Sequence, residues 1–237
     1  MHTSAASYGR VCSGSDPVRV GVYTIHLSPR NGVSVYRRCG PEGCVERLIS
    51  SPCIDVEPLP PVFYPEKLSS HVMVKLRRPL IVDSSSKCSG YIVLEVDAGV
   101  FTPSGSLFDV FPPSGRARYA LYGGPDSGVI ARYLVSDVYP YDPRPLFYAV
   151  ALLEVSNRFR SAVEVSRIVV PAFMVRMAYS GARVIAWRIR LDIVSDQMGV
   201  VTVSKPRIPP GFREPRLPLP EAVASPEKAR YPMIHGF

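Results

Sequence analysis

The sequence of 237 residues predicts an all-β protein built around an antiparallel β-sandwich of the jelly-roll or immunoglobulin-like type, as one sandwich or two packed β subdomains. Apolar residues recur at every second position over short runs, which is the period of a half-buried strand. The 25 prolines and 17 glycines are spread along the chain and separate these runs by turns. Long apolar runs at helical spacing are missing, so we expect little helix.

The first part of the chain predicts a β-meander. Val18, Val20 and Val22 alternate with other residues, and "PRNG" and "GPEG" supply the two turns that follow. The next stretch, "SPCIDVEPLPPVFYPEKLSS", is rich in proline, which lacks the N–H that a central strand needs, so we expect a surface connection there. The predicted order is a flexible N-terminus at 1–17, a β-meander at 18–58, a β-sandwich core at 59–204 and an extended proline-rich tail outside the core at 205–237.

Three later segments alternate most clearly. "HVMVKLRRPLIV" (71–82) and "GYIVLEVDAGVF" (90–101) each place apolar residues on one face, and we expect both strands in one wall of the core. "ARVIAWRIRLDIV" (182–194) follows a hairpin about "YSGA" and predicts a strand with one apolar and one charged face. The apolar face carries Trp187, Ile189, Leu191 and Ile193, and the charged face carries Arg188, Arg190 and Asp192.

The loop "GGPDSG" (123–128) is the most motif-like stretch of the chain. A phosphate-binding loop uses the amides of a helix N-terminus, and the Walker type adds a Lys and a Ser or Thr. No helical pattern begins after Gly128, and proline with glycines on both sides is ordinary turn chemistry. We therefore expect a structural turn rather than a ligand site.

Cys39 and Cys44 flank the short loop of "CGPEGC" and would face each other across a hairpin. A disulfide, a zinc site and two free thiols are all compatible with this spacing. Zinc is disfavoured because it needs four ligands, whereas Cys53 and Cys88 come singly and His26 and His71 lie in strands.

The sequence offers little for catalysis, and we expect no enzyme, no catalytic residue, no cofactor and no metal. No "GxSxG" motif occurs. His2 and His235 lie near the ends of the chain, and His26 and His71 lie in strands, where a solvated or hydrogen-bonded imidazole is commoner than a base. A hydrolase with two carboxylates is a third and weaker possibility. Its acids would come from a scattered set, Asp83, Glu95, Asp97, Asp109, Asp137 and Asp142.

The net charge of +8 indicates acidic partners or a surface that favours solubility. A basic protein associated with RNA or the ribosome is the second functional candidate, because arginine beside aromatic rings suits single-stranded RNA. The same arginines would also suit the surface ion pairs of a thermophile. They are Arg37, Arg38, Lys75, Arg77, Arg78, Arg116, Arg118, Arg158, Arg160, Arg188 and Arg190, with Lys75 as the one lysine.

The start of the chain, "MHTSAASYGRVCSGSDP", lacks the apolar core of a signal peptide, and no apolar run approaches the roughly 20 residues of a membrane helix. We therefore expect a cytoplasmic protein without a transmembrane segment.

The order of residues around the "GGPDSG" loop resembles an archaeal family known as a domain of unknown function, and the likeness spans roughly residues 15 to 200. The resemblance implies an archaeal, cytoplasmic, β-rich protein and carries over no cofactor or catalytic residue. Its most specific positions are Tyr122, Gly123, Pro125, Gly128, Val129, Ile130, Arg132 and Tyr133.

We therefore expect an interaction or scaffold module that binds an unknown protein partner. Arg132 has two alternative roles: it pairs inside the molecule with a carboxylate such as Asp137, or it grips a partner, and the internal role is preferred. The predicted partner surface comprises Tyr122, Pro125, Arg132, Tyr133, Arg188 and Arg190.

Overall fold

The computed structural model of the protein describes residues 6–65, 68–217 and 229–237. Apart from one short 3-10 turn, Ala172–Met174, every regular element in these residues is a strand, so the all-β prediction is confirmed. No helix in the same residues is long and apolar enough to cross a membrane. The strands are β1 Gly9–Cys12, β2 Val18–Val20, β3 Tyr23–Arg30, β4 Val33–Gly40, β5 Gly43–Ile49, β6 Cys53–Leu59, β7 His71–Val82, β8 Lys87–Leu94, β9 Asp97–Phe101, β10 Leu107–Phe111, β11 Tyr119–Tyr122, β12 Val129–Ser136, β13 Ala149–Asn157, β14 Val163–Pro171, β15 Met177–Ser180, β16 Arg183–Ala186, β17 Arg188–Ile193, β18 Gly199–Ser204 and β19 Arg230–Met233.

The strands form four sheets. Sheet A is the meander β2-β3-β4-β5, sheet B is β1-β6-β9-β10, and sheet C is β11-β12-β7-β14. Sheet D has seven strands in the order β15-β16-β13-β17-β18-β19, with β8 paired to β13 as well. Most pairs are antiparallel as expected, but β7 with β12 and β13 with both β16 and β17 are parallel. Alternation along one strand carries no information about the direction of its neighbour, which is why the sequence did not indicate the parallel pairs.

Sheet A packs face to face against sheet B. The ring centroids of Tyr23 on β3 and Phe111 on β10 are 4.7 Å apart. Tyr36 on β4 donates a hydrogen bond of 2.7 Å to the carboxylate of Asp109 on β10. The inner residues of β3 and β4, including Ile25 and Leu27, are buried against sheet B. The alternation predicted for Val18, Val20 and Val22 fails at Val22, which lies in the turn after β2 and is exposed.

Sheet C lies beside sheet D. The backbone N–H of Val93 on β8 donates to the hydroxyl of Ser136 on β12 at 3.1 Å, and Asn157 on β13 donates to the carbonyl of Val82 on β7 at 2.9 Å. Buried residues from all four sheets belong to one continuous hydrophobic cluster. The two pairs of sheets therefore share a single core.

The expectation of a surface connection in "SPCIDVEPLPPVFYPEKLSS" is wrong. Residues Cys53–Leu59 form β6, which lies between β1 and β9 in sheet B and is buried along most of its length. Pro58 is the one proline inside β6, and it lies beyond Val56, the last residue that pairs with β1. The ladder on that side has ended before the proline, and Pro58 lies opposite Ala98 near the end of the pairing with β9.

Two further expectations need correction. The predicted flexible N-terminus contains β1 in its described residues 6–17, and Tyr8 and Val11 are buried. The segments 71–82 and 90–101 do not share a wall, because β7 belongs to sheet C and β8 to sheet D, and the chain leaves for sheet B at Glu95. Alternation identifies a strand but not the sheet it joins.

The predicted tail lies only partly outside the core in its described residues: 205–214 are mostly exposed, whereas 229–237 pack against sheet D. The strand β19 pairs with β18, and Met233 is fully buried. Pro232 is tolerated because β19 is the edge strand of sheet D. Earlier in the segment, Arg213 pairs with Tyr179 through backbone hydrogen bonds, and the Arg216 guanidinium contacts Asp55 on β6. This part of the chain therefore ties sheet D to sheet B.

We predict that Met233→Ala lowers the free energy of unfolding by about 2–5 kcal/mol, because it leaves a cavity under β19. The neighbouring variant Ile234→Ala is the control. Ile234 is 58% exposed, so its truncation should change stability by less than about 0.5 kcal/mol. Chemical denaturation of both variants measures the difference, and equal stabilities would show that β19 does not belong to the core.

Candidate interaction surface

The "GGPDSG" segment is the turn between β11 and β12, as predicted. Tyr122 lies opposite Val129 in the antiparallel pair, and the N–H of Gly128 donates to the carbonyl of Gly124 at 2.7 Å. Gly123 has a φ of +104°, and a Cβ atom at this position would lie 2.6 Å from the His235 ring. Glycine is required there both by the backbone conformation and by the C-terminal segment that packs on the turn.

Arg132 on β12 is buried and has an internal role. Its Nε donates to Glu95 at 2.7 Å, its Nη1 donates to the carbonyl of Tyr64 at 2.8 Å, and its Nη2 lies 3.4 Å from Asp97 Oδ1. The predicted partner Asp137 is wrong, because that carboxylate contacts Arg77 and Arg78 on the surface. Arg132, Glu95, Asp97 and Tyr119 are called the Arg132 cluster below.

Two carboxylates and one guanidinium share this buried cluster. Burial raises the pKa of Asp97 to about 7 against the opposing effect of Arg132, and it raises the pKa of Glu95 as well. Burial disfavours the charged form of Arg132 and by itself would lower its pKa. The negative charges of Asp97 and Glu95 favour the charged form more strongly, so the pKa of Arg132 is raised. Asp97 Oδ2 accepts hydrogen bonds of 3.0 Å from the backbone N–H groups of Phe63 and Tyr64. The cluster therefore holds its arginine charged while Asp97 can exchange a proton near neutral pH.

We predict that this cluster makes stability depend on pH. The pKa of Asp97 is higher in the folded protein, about 7, than in the unfolded chain, where it is about 3.9. The folded protein therefore holds the Asp97 proton more tightly than the unfolded chain does. The resulting contribution to the free energy of unfolding is fully present below about pH 4 and is lost as the pH rises through about 7. The free energy of unfolding of the unmodified protein, measured relative to Asp97→Asn, should fall between pH 4 and pH 8.

The control for this experiment is Asp126→Asn, which changes an exposed carboxylate in the β11–β12 turn. Its stability relative to the unmodified protein should stay constant over the same range. A constant difference for Asp97→Asn as well would contradict the titration of Asp97.

The six residues of the predicted partner surface do not share one surface. Tyr122 and Arg132 are buried, so neither can contact a partner, and the Tyr122 hydroxyl donates to the carbonyl of Gly236 at 3.0 Å. Pro125 is exposed at the turn, while Tyr133 is half-buried with the Arg118 guanidinium 5.5 Å from its ring centroid. Arg188 and Arg190 lie on β17 in sheet D, whereas the turn joins two strands of sheet C.

The structure joins Cys39 to Cys44 by a disulfide across the β4–β5 hairpin, with Cα atoms 4.1 Å apart. A second disulfide joins Cys12 to Cys53 between β1 and β6. The sequence did not indicate this second bridge, because the two cysteines are 41 residues apart. Among the residues that the structure describes, no three His, Cys, Asp or Glu side chains lie close enough to hold a metal ion.

A groove crosses the outer face of sheet D where β8, β13 and β17 lie side by side. It has a volume of about 310 Å³ and is called the sheet D groove below. Glu154 on β13 contacts both Arg188 and Arg190, at 3.2 and 3.1 Å, and Arg158 lies 3.3 Å from Asp192. The groove residues are Lys87, Cys88, Ser89, Glu154, Val155, Ser156, Arg158, Arg190 and Asp192.

The loop between β12 and β13 presents apolar side chains to solvent. Tyr141 is 73% exposed, more than any other large hydrophobic side chain in the described part of the chain, and Leu146 is 55% exposed. The sequence "YPYDPRPLFY" (139–148) carries the signal, since three prolines stiffen a segment that also holds three tyrosines, a leucine and a phenylalanine. This segment is called the 139–148 loop below.

The 139–148 loop is fixed at several points. Asp142 contacts Arg183 at 3.0 Å and accepts a hydrogen bond of 2.8 Å from the N–H of Arg144. Phe147 is buried, its ring centroid 5.3 Å from that of Tyr8. Arg144 and Phe147 have φ angles of +52° and +61°, a region that side chains rarely adopt. The surroundings therefore hold the loop in a strained shape that leaves Tyr141 and Leu146 outside.

Fold and site together define an all-β protein with a buried ionic cluster, a rigid exposed loop and a charged groove. The model of the family described as "Protein of unknown function (DUF432)" matches residues 8–231, so the chain belongs to this family. No curated protein and no solved structure shows significant similarity to the chain.

Proposed function

We propose that the protein is a non-enzymatic interaction or scaffold module, and that the 139–148 loop is its binding element for another protein. The observation that carries this proposal is the strained, anchored loop that keeps Tyr141 and Leu146 in solvent. Strain at non-glycine residues costs free energy of about 1–3 kcal/mol each and is concentrated at functional sites. The other two non-glycine residues with positive φ in the described chain, Asn31 and Ser85, lie in tight turns between strands, where such angles are ordinary.

The chemistry of the loop suits a protein partner. Tyrosine supplies a large amphipathic contact area with few rotatable bonds, and it is enriched among the residues that dominate binding energy. Because the prolines and the Asp142 contacts fix the loop before binding, little conformational entropy is lost on association. An apolar pocket that accepts the Tyr141 ring, with Leu146 beside it, is the complementary feature we expect on the partner.

Association with RNA or the ribosome receives less support. Of the eleven basic residues that the sequence offered for RNA, Arg188 and Arg190 both contact Glu154, which satisfies part of their charge. No residue among those that line the sheet D groove is aromatic, so the groove offers no ring on which a base could stack. The outer face of sheet D thus corresponds better to a surface ion-pair network than to a single-strand channel.

A cytoplasmic location stays part of the proposal. Two disulfides are uncommon in the cytosol except in hyperthermophiles, so the proposal combines the cytoplasm with a thermophilic source. An archaeal origin, which the sequence resemblance implies, would agree with that combination.

The test is a pull-down from a native lysate of the source cells, with and without nuclease. We predict that the unmodified chain retains a specific protein after nuclease treatment and that Tyr141→Ala with Leu146→Ala reduces its recovery at least about tenfold. Ile81→Ala is the matched control, because Ile81 is 63% exposed but lies on β7 away from the loop. Undiminished recovery with the loop variant would exclude the loop as the binding element, and loss of capture on nuclease treatment would favour the RNA alternative.

A further inference from the structure

The sheet D groove carries unbalanced charge. Two rows of side chains cross the three strands: Lys87, Ser156 and Asp192 stand opposite one another, and Ser89, Glu154 and Arg190 form the next row. Arg158 adds a guanidinium next to Asp192, and Arg188 contacts the second oxygen of Glu154. Four cations thus meet two carboxylates, so two positive charges are left over on this face.

Some hydrogen-bond donors in the sheet D groove have no side-chain partner among the described residues. Lys87 is exposed and forms no ion pair with any described residue. It lies on β8, opposite Ser156 on the central strand β13, and lines the groove. The hydroxyls of Ser89 and Ser156 have no side-chain hydrogen bond to any described residue. Glu154 is held by Arg188 and Arg190, whereas Asp192 contacts only Arg158 among the described residues. An ammonium group and two hydroxyls therefore remain free to contact a ligand.

We propose that the sheet D groove is a binding site for a small dianion whose charge is carried by phosphate or carboxylate groups. Lys87 and Arg158 would contribute charge-assisted hydrogen bonds, and Ser89 and Ser156 would donate through their hydroxyls. A ligand with two negative charges would balance the two charges that the face leaves over. Because it uses sheet D and not the 139–148 loop, this site stands independently of the proposed protein binding.

Size and composition favour a small ligand over a polymer. The volume of about 310 Å³ falls at the lower end of the roughly 300–1,000 Å³ range of small-molecule sites. The groove lining lacks the aromatic platform that a nucleic-acid strand uses. A compact anion can instead lie over Lys87 and Ser89 on β8 and Ser156 on β13, with Arg158 at the end of the groove.

The experiment is isothermal titration calorimetry of the full chain with inorganic phosphate and, separately, with succinate. Sodium chloride at matched ionic strength is the reference. We predict saturable binding of at least one of the two anions, with Kd raised about tenfold by Lys87→Ala and by Arg158→Ala. Preference for phosphate over succinate, or the reverse, identifies which group the groove recognises.

Lys75→Ala provides the matched control, since Lys75 is an exposed lysine on β7 in sheet C. Its Kd should equal that of the unmodified protein. The proposal is overturned if neither anion gives heat beyond that of chloride, or if Lys87→Ala binds as tightly as Lys75→Ala.

Discussion

The burial of the Arg132 guanidinium is the constraint on which the arrangement of the sheets depends. An arginine stays charged at any physiological pH, so a buried one needs acceptors and opposite charge around it. Arg132 Nε donates to Glu95, and Nη1 donates to the Tyr64 carbonyl and, at 3.1 Å, to the Tyr119 hydroxyl. Nη2 forms an ion pair with Asp97 Oδ1 but no hydrogen bond to any described residue. Asp97 begins β9, Glu95 lies between β8 and β9, Tyr64 lies in the segment after β6, and Tyr119 lies on β11. Because Arg132 itself lies on β12, one side chain links sheet B to sheet C.

The strand β11 connects the Arg132 cluster with the C-terminal segment. Tyr119 at one end of β11 belongs to the Arg132 cluster, and Tyr122 at the other end contacts the C-terminal segment through Gly236. Because Gly123 has no Cβ, the His235 ring can pack closely against the β11–β12 turn. The residues around this turn are therefore explained by packing. In the 139–148 loop packing accounts for Phe147 but not for the exposed Tyr141 and Leu146, which makes the loop the better candidate for recognition.

The sequence indicated most strands but few of their partners. Alternation found β7 and β17, and turn residues found the hairpins of the meander. Burial alternates strictly in β17, whereas Val72, Met73 and Val74 of β7 are all buried. It missed β6, where burial is nearly continuous and proline misled, and it missed β19, where a short edge strand tolerates Pro232. The sequence did not indicate the ion pairs, because their members are far apart along the chain. Arg132 and Glu95, for example, are 37 residues apart in the sequence. No local sequence pattern specifies a contact that tertiary packing makes. The 139–148 loop, in contrast, can be recognised in the sequence by its prolines and aromatic residues.

The coupling between Arg132 and Asp97 tests the central claim most directly. A double-mutant cycle with Arg132→Met, Asp97→Asn and the combined variant measures it by chemical denaturation at pH 8. If the cluster joins the sheets as described, the combined loss of stability should be smaller than the sum of the single losses by about 1–3 kcal/mol, since each single change strands a buried partner. Additive losses, within about 0.5 kcal/mol, would contradict the account and would mean that the two residues contribute to the fold separately.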